Sequence, residues 1–269
     1  MRTSKPAVHF TDNYLLNPSN PVTINLIGAG GTGSQMLTAL SRINHSLLAL
    51  GHPGLYLRLF DDDIVTSANL GRQLFATSEI GSHKSAALIS RVNRFFGTNW
   101  KSYSCKYDQH LNDVDELTAN MTITCVDTAK GRFEIADILS TLPTQSHGPN
   151  CPIYWMDLGN SRHTGQALLS TVKTVQQPKS KLFLPVPNLP AITTEFAHLL
   201  MSADDSNQPS CSLSEAITKQ DLFINSAIST FGASLLWNLF REGMIHYRGF
   251  FMNLKQYSSN PIAIVAAKN

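Results

Sequence analysis

The chain has 269 residues, 42% of them hydrophobic and 15% charged, with a formal net charge of +2 at pH 7. That length and composition support a sizeable buried core rather than disorder, and the near-neutral balance gives no electrostatic case for direct nucleic-acid binding. Cys105, Cys125, Cys151 and Cys211 form no C-x-x-C pair, no apolar run reaches about 18 residues and the N-terminus lacks a signal-peptide core, so the expectations are no structural zinc, no membrane span and a reducing, cytoplasmic setting.

Residues 1–21 read as an N-terminal arm with weak structure signals. Val22–Ile27 is an apolar strand that runs straight into Gly28-Ala-Gly-Gly-Thr-Gly33. Met36, Leu40, Ile43, Leu47 and Leu50 then share one face of a helix, stopped by Gly51-His-Pro-Gly54. Tyr56–Phe60 is a second strand, ending in Asp61-Asp-Asp63. A helix carrying Leu88, Val92 and Phe95 ends near Gly97. Thr122–Val126 is a further strand, ending in Asp127, and Cys125 within it reads as packing. Ile153–Leu158 and Gln166–Val172 are two more. Residues 173–212, broken by several prolines, read as a covering loop. A helix with Phe223, Ala227, Phe231, Leu235 and Leu239 at intervals of four follows, ended by Gly243, and Ile245–Leu254 suggests a last strand. Alternating strands and helices predict an α/β fold with a mostly parallel, doubly wound sheet. In such sheets ligands sit beyond the carboxyl ends of the strands, where Gly28, Asp61 and Asp127 should meet.

Each of these positions has a chemical and a plain reading. Gly28 permits a tight turn, Gly30 lets backbone approach phosphate, and Gly33 lets helix pack against strand; a dinucleotide site or a structural turn also uses them. Asp61 can accept ribose hydroxyls, from NAD as well as from ATP, while Asp62 reads as a solvated turn residue. Arg72 and Lys84, with Asn69 and Gln73, add cations and amides that a triphosphate needs and a dinucleotide does not. Asp127 suits Mg²⁺ or an N-cap for the next helix.

Taken in order, Gly28-Ala-Gly-Gly-Thr-Gly33, Asp61-x-Asp63, Asn69-Leu-x-Arg72-Gln73, Gly81-x-x-Lys84, Cys125-Val-Asp127 and Gly165-Gln166 resemble the ThiF/MoeB/HesA superfamily, whose adenylating domain ubiquitin-activating enzymes share. Finer stretches, Ala49–Gly54 and Pro209–Ala216 followed by Lys219–Phe223, are similar to the ThiF-related family of PRTRC plasmid cassettes. The resemblance implies one Rossmann-like adenylating domain over 22–257, with antiparallel C-terminal strands, the covering loop within it and 258–269 as a tail. It implies Mg·ATP, attack by a protein carboxylate on the α-phosphate, and a homodimer that receives the flexible C-terminal tail of a small ubiquitin-like protein. Gly28, Gly30, Gly31, Gly33, Asp61 and Asp63 would line the nucleotide, Asn69, Arg72, Gln73 and Lys84 its phosphates, and Asp127 the metal. Some relatives pass the activated carboxylate to a cysteine near the covering loop, where Cys211 stands before the capping box Ser212-Leu-Ser-Glu215. Pro178–Pro190 would cover the incoming tail. Three departures stand out: the arm holds only Arg2 where relatives reach a dimer partner's phosphates, Thr128 follows Asp127 where Asn is frequent, and zinc-binding cysteine pairs are missing. A catalytically degenerate scaffold, an NAD-dependent oxidoreductase and adenylation of a small-molecule or tRNA carboxylate are the alternatives.

Overall fold

The computed structural model describes residues 5–108, 114–144, 148–202 and 220–266. Strand β1 (Ala7–Phe10) and a helical turn, α1 (Asn13–Leu16), lie in the stretch read as an arm. β2 (Val22–Ile27) is buried along its whole length, as a central parallel strand covered on both faces must be. Its two polar residues find partners inside: Asn25 donates through Nδ2 to the carbonyls of Glu116 and Leu117, its Oδ1 having no partner among the described residues, and Thr23 bonds Asn120.

The chain continues through α2 (Gly31–Ala49), β3 (Leu55–Phe60), α3 (Lys84–Phe96), β4 (Lys101–Tyr103), a turn α4 (Val114–Leu117), β5 (Met121–Thr124), α5 (Ala129–Thr141), β6 (Tyr154–Asn160) and β7 (Thr164–Thr171). β8 (Leu184–Pro185), α6 (Ile192–Glu195), α7 (Ala197–Ser202), α8 (Ile224–Glu242), β9 (Met244–Ile245), β10 (Tyr247–Asn253) and β11 (Ser258–Ala263) complete it. The large sheet runs β11-β10-β7-β6-β5-β2-β3-β4, parallel from β6 to β4 and antiparallel from β6 out to β11. One core packs α2, α3 and α8 on one face; a second, with Ile135, Ile138, Leu139 and Ile192, packs α5 and α6 on the other. No helix among the described residues is long and apolar enough to cross a membrane.

The expected Rossmann-like α/β architecture is present, with four local differences. The stretch read as a tail contains β11, an edge strand, where a proline such as Pro261 is tolerated. The arm is anchored, β1 pairing with β8 and β9. Phe95, expected on the apolar face of α3, is 80% exposed, and Leu50 is exposed as the C-cap of α2. On α8 the buried ladder is Ile224, Ile228, Leu236 and Phe240; of the expected stripe, Leu239 is buried but Phe223 and Phe231 are exposed.

Candidate active site

β2 lies between β3 and β5, so the chain's crossovers leave it in opposite directions and a crevice opens at its carboxyl end. The glycine turn fills the base of that crevice. Gly28 has φ +93°, and a Cβ on it would lie 2.8 Å from the carbonyl oxygen of Cys125. A Cβ on Gly33 would lie 1.8 Å from the oxygen of Gly28, and one on Gly31 would lie 2.5 Å from Asn225 Nδ2. A Cβ on Gly30 would meet nothing within 4 Å, so this glycine faces open space. Gly30 is also the N-cap of α2, and no side chain caps the helix there. Backbone N–H groups and the positive end of a nineteen-residue helix therefore face the crevice.

Asp61, at the end of β3, grips this turn. Its Oδ2 accepts from the Ala29 N–H at 2.6 Å and its Oδ1 from the Asp63 N–H at 3.0 Å. Burial pushes its carboxyl pKa up, opposed by the Ala29 N–H and the Lys84 charge. Lys84, the first residue of α3, is buried and donates to Asp63 at 2.7 Å. That contact uses one of its three donors. Asn69 caps the short 3₁₀ turn Ser67–Asn69, its Oδ1 accepting from the backbone N–H and hydroxyl of Thr66. Asp63, Asn69 and Lys84 thus have structural partners at the crevice's β3 side.

Arg72 and Gln73 follow on the loop after that turn. Burial pushes the Arg72 pKa down, while the nearby Asp127 carboxylate pulls it up. Arg72 donates through Nη1 to Gln220 Oε1 at 2.6 Å. Its Nε and the Oε1 of Gln73 are buried with no hydrogen-bond partner among the described residues. An orphaned guanidinium donor near an uncapped helix N-terminus fits a polar, anionic ligand, whereas the Gln73 oxygen, an acceptor, calls for a donor. Asp127 is exposed beyond β5, and the N-cap of α5 is Thr128, whose hydroxyl accepts from the Gly131 N–H. The capping alternative for Asp127 therefore falls away, and Thr128 finds its use in the cap. Among the described residues no three His, Cys, Asp or Glu side chains converge; Asp127 is an exposed carboxylate of the kind that, with ligand oxygens, could hold Mg²⁺.

The sequence reading missed the support behind Asp127. Arg132 on α5 forms a buried pair with Asp157 of β6, its Nε 3.1 Å from both carboxylate oxygens. Its remaining nitrogens donate to the carbonyls of Val126 and Thr128, the two residues flanking Asp127. Thr124 donates to Asp157 at 2.6 Å and closes the cluster. The signal was an i+5 arginine after the aspartate, which carries no meaning until α5 folds back over its own loop. Cys125 is half-buried against the core and its thiol pKa is raised by desolvation, which fits packing.

Cys211 and its capping box lie outside the described residues. The proline stretch departs from expectation. β7 runs away from the crevice, so Thr171 pairs with Tyr154 at the amino end of β6, and Pro187 and Leu189 accept backbone bonds from Val175 and Thr171 there. Pro178–Pro190 consequently packs at the opposite pole of the sheet, beside a cleft of about 670 Å³ lined by Phe10, Asp12, Tyr14, Lys173 and Gln177. It does not cover the glycine turn.

Comparisons with known proteins bear on the family and the fold. The model described as "ThiF family" matches residues 19–218. No curated protein matches the sequence. Among solved structures, PaaA superposes with a TM-score of 0.57 at 15% identity, covering 90% of this chain and 64% of that one. MccB of E. coli crystallised with ATP superposes with a TM-score of 0.54 at 12% identity, covering 94% and 66%. MccB crystallised with MccA gives a TM-score of 0.53 at 12% identity, covering 91% and 66%. The chain thus spans about two thirds of the length of these proteins, and at such identities the likeness establishes the fold.

Proposed function

Because the chain belongs to the ThiF family, we propose that it is an adenylating enzyme that activates the C-terminal carboxylate of a small ubiquitin-like protein at the expense of Mg·ATP. The observation that carries this reading is the uncapped N-terminus of α2 at the switch point, to whose first turn Arg72 is linked through Gln220 and Asn225, with the exposed Asp127 carboxylate near Arg72. MccB, which shares the fold, was crystallised with ATP and with MccA, which supports a nucleotide and a second binding partner for this fold.

In this reading a carboxylate oxygen of the substrate attacks the α-phosphorus of ATP. The bond from that phosphorus to the bridging oxygen breaks, pyrophosphate leaves with the electron pair, and an acyl-adenylate remains. No protein group needs to form a covalent bond, so positioning and charge neutralisation carry the step. The α2 N–H groups and Arg72 hold phosphate oxygens, with Gln73 and Asn69 beside them. Lys84 adds charge from its anchored position on Asp63. Asp61 keeps lone pairs for ribose hydroxyls while it holds the turn. Mg²⁺ at Asp127 supplies further neutralisation of the polyphosphate. A homodimer belongs to the same reading and is checked by sedimentation of the purified chain.

Calorimetric titration with Mg·ATP and with NAD tests the proposal. Mg·ATP should bind, NAD should not, and Asp127→Ala should weaken Mg·ATP by about tenfold or more, the loss of ~1.4 kcal/mol. NAD binding without ATP binding would overturn it in favour of redox chemistry.

A further inference from the structure

A polar chain connects Arg72 to the first turn of α2 through two side-chain amides. The Thr32 hydroxyl donates to Asn225 Oδ1 at 2.9 Å. Asn225 Nδ2 donates to Gln220 Oε1 at 3.1 Å, and the same oxygen accepts from Arg72 Nη1 at 2.6 Å. We infer that Gln220 and Asn225 are positioning residues, a two-amide relay that fixes the Arg72 guanidinium relative to the α2 N-terminus and so sets its grip on nucleotide phosphates. This rests on the ATP-site reading above.

Donor and acceptor roles fix the polarity of the relay. A carbonyl oxygen has two lone pairs, so Gln220 Oε1 can serve Asn225 and Arg72 together. Turning the Gln220 amide over would set its NH₂ against a cation and a second NH₂ group. Turning Asn225 over would set oxygen against oxygen at Gln220. Each amide therefore has one orientation. Asn225 is 2% exposed, so its partners must come from the protein. α8 meets α2 again where Ser229 donates to the Thr32 carbonyl at 2.9 Å. The approach is close enough that Gly31 has no room for a Cβ, 2.5 Å from Asn225. This gives Gly31 a reason apart from phosphate contact: it admits the relay.

Arg72 needs such a fixture. It sits on a loop outside any helix or strand, after Gly71 at φ +78°. A long side chain there would sample many rotamers. The bond to Gln220 engages Nη1 and leaves other guanidinium donors for a ligand, with Nε buried and without a partner among the described residues. A cation held in place before the nucleotide arrives needs no reorganisation when charge appears. Thr32 and Arg72 are forty residues apart in sequence, and the link between them passes through residues near position 220, so the relay appears only in the folded chain.

The test separates phosphate recognition from general stability. Gln220→Met keeps length and removes the acceptor; Asn225→Asp keeps volume and sets oxygen against Gln220 Oε1; Gln220→Glu keeps oxygens facing Arg72. Each is titrated with Mg·ATP and with adenosine, and its thermal midpoint is recorded. Gln220→Met and Asn225→Asp should weaken Mg·ATP about tenfold with adenosine affinity unchanged, while Gln220→Glu stays within about threefold of the parent. Equal loss of both ligands, or no loss of either, overturns the relay. Failure of the unsubstituted protein to bind Mg·ATP overturns the adenylation reading itself, and the relay with it.

Discussion

Gly33 cannot carry a side chain, because a Cβ there falls 1.8 Å from the backbone oxygen of Gly28, whereas a Cβ on Gly30 meets nothing within 4 Å. One turn thus holds glycines kept for different reasons. Gly33→Ala should cost about 3 kcal/mol or more in urea unfolding, since backbone has to move. Gly30→Ala should cost no more than about 1 kcal/mol, the difference between Gly and Ala at an N-cap. Yet Gly30→Ala should weaken Mg·ATP, because the open space beside it is where the proposed site receives phosphate; unchanged affinity would place the phosphates elsewhere. The turn itself was legible in the sequence because strand, turn and helix are contiguous. What the side chains around it do was not. Asp61 holding the Ala29 N–H, Lys84 seated on Asp63, and Asn225 reaching Thr32 all join residues that only the fold brings together.

At the scale of elements, the β5–α5 loop owes its shape to one buried ion pair. Arg132 bonds both oxygens of Asp157 and the two carbonyls around Asp127. Arg132→Met leaves a buried carboxylate unpaired and should cost about 3–5 kcal/mol, whereas Arg132→Met combined with Asp157→Leu should recover part of that. A double-mutant cycle in urea measures the coupling, and additive losses would refute the pair's role. The helix α8 shows why patterning fell short. Two apolar ladders run along it one residue apart, Phe223-Ala227-Phe231-Leu235 and Ile224-Ile228-Gly232-Leu236. Hydrophobicity favours neither. The choice is made by small and polar partners: Asn225 and Ser229 must face α2, and Gly165 on β7 leaves room for Ile228, where a Cβ would lie 2.0 Å away. β11 was missed because its Ser-Ser-Asn-Pro opening lacks strand propensity, and pairing with β10 supplies what propensity does not.

Across the whole molecule, the two ends of the parallel sheet divide the work. The crevice holds the proposed ligand site, and the opposite pole ties the arm, the proline stretch and the end of α8 together. The knot there is His9. Its Nδ1 donates to the Val186 carbonyl at 2.7 Å, and its Nε2 accepts from the Tyr154 hydroxyl at 2.9 Å, which in turn accepts from the Asp12 N–H. The Val186 carbonyl requires a proton on Nδ1, and with burial favouring the neutral ring Nε2 is left to accept. Burial lowers the His9 pKa from its usual 6.5, more than the Val186 bond and the Asp12 charge raise it. The unfolded chain therefore takes up the proton first as pH falls. The contribution of His9 is complete above about pH 6.5 and is lost progressively below it, until the folded ring protonates as well. Within that window unfolding free energy should decline by up to about 1.4 kcal/mol per pH unit from this group. His9→Phe, which cannot titrate, should lower stability at pH 8 by removing the two hydrogen bonds, yet give a shallower decline from pH 6.5 to 5. Urea unfolding of both proteins across that range isolates the contribution of His9, because the remaining histidines are common to the two chains. Parallel curves would show that His9 keeps its solution pKa, and that the pole is held by β1 pairing with β8 and β9 rather than by the buried ring.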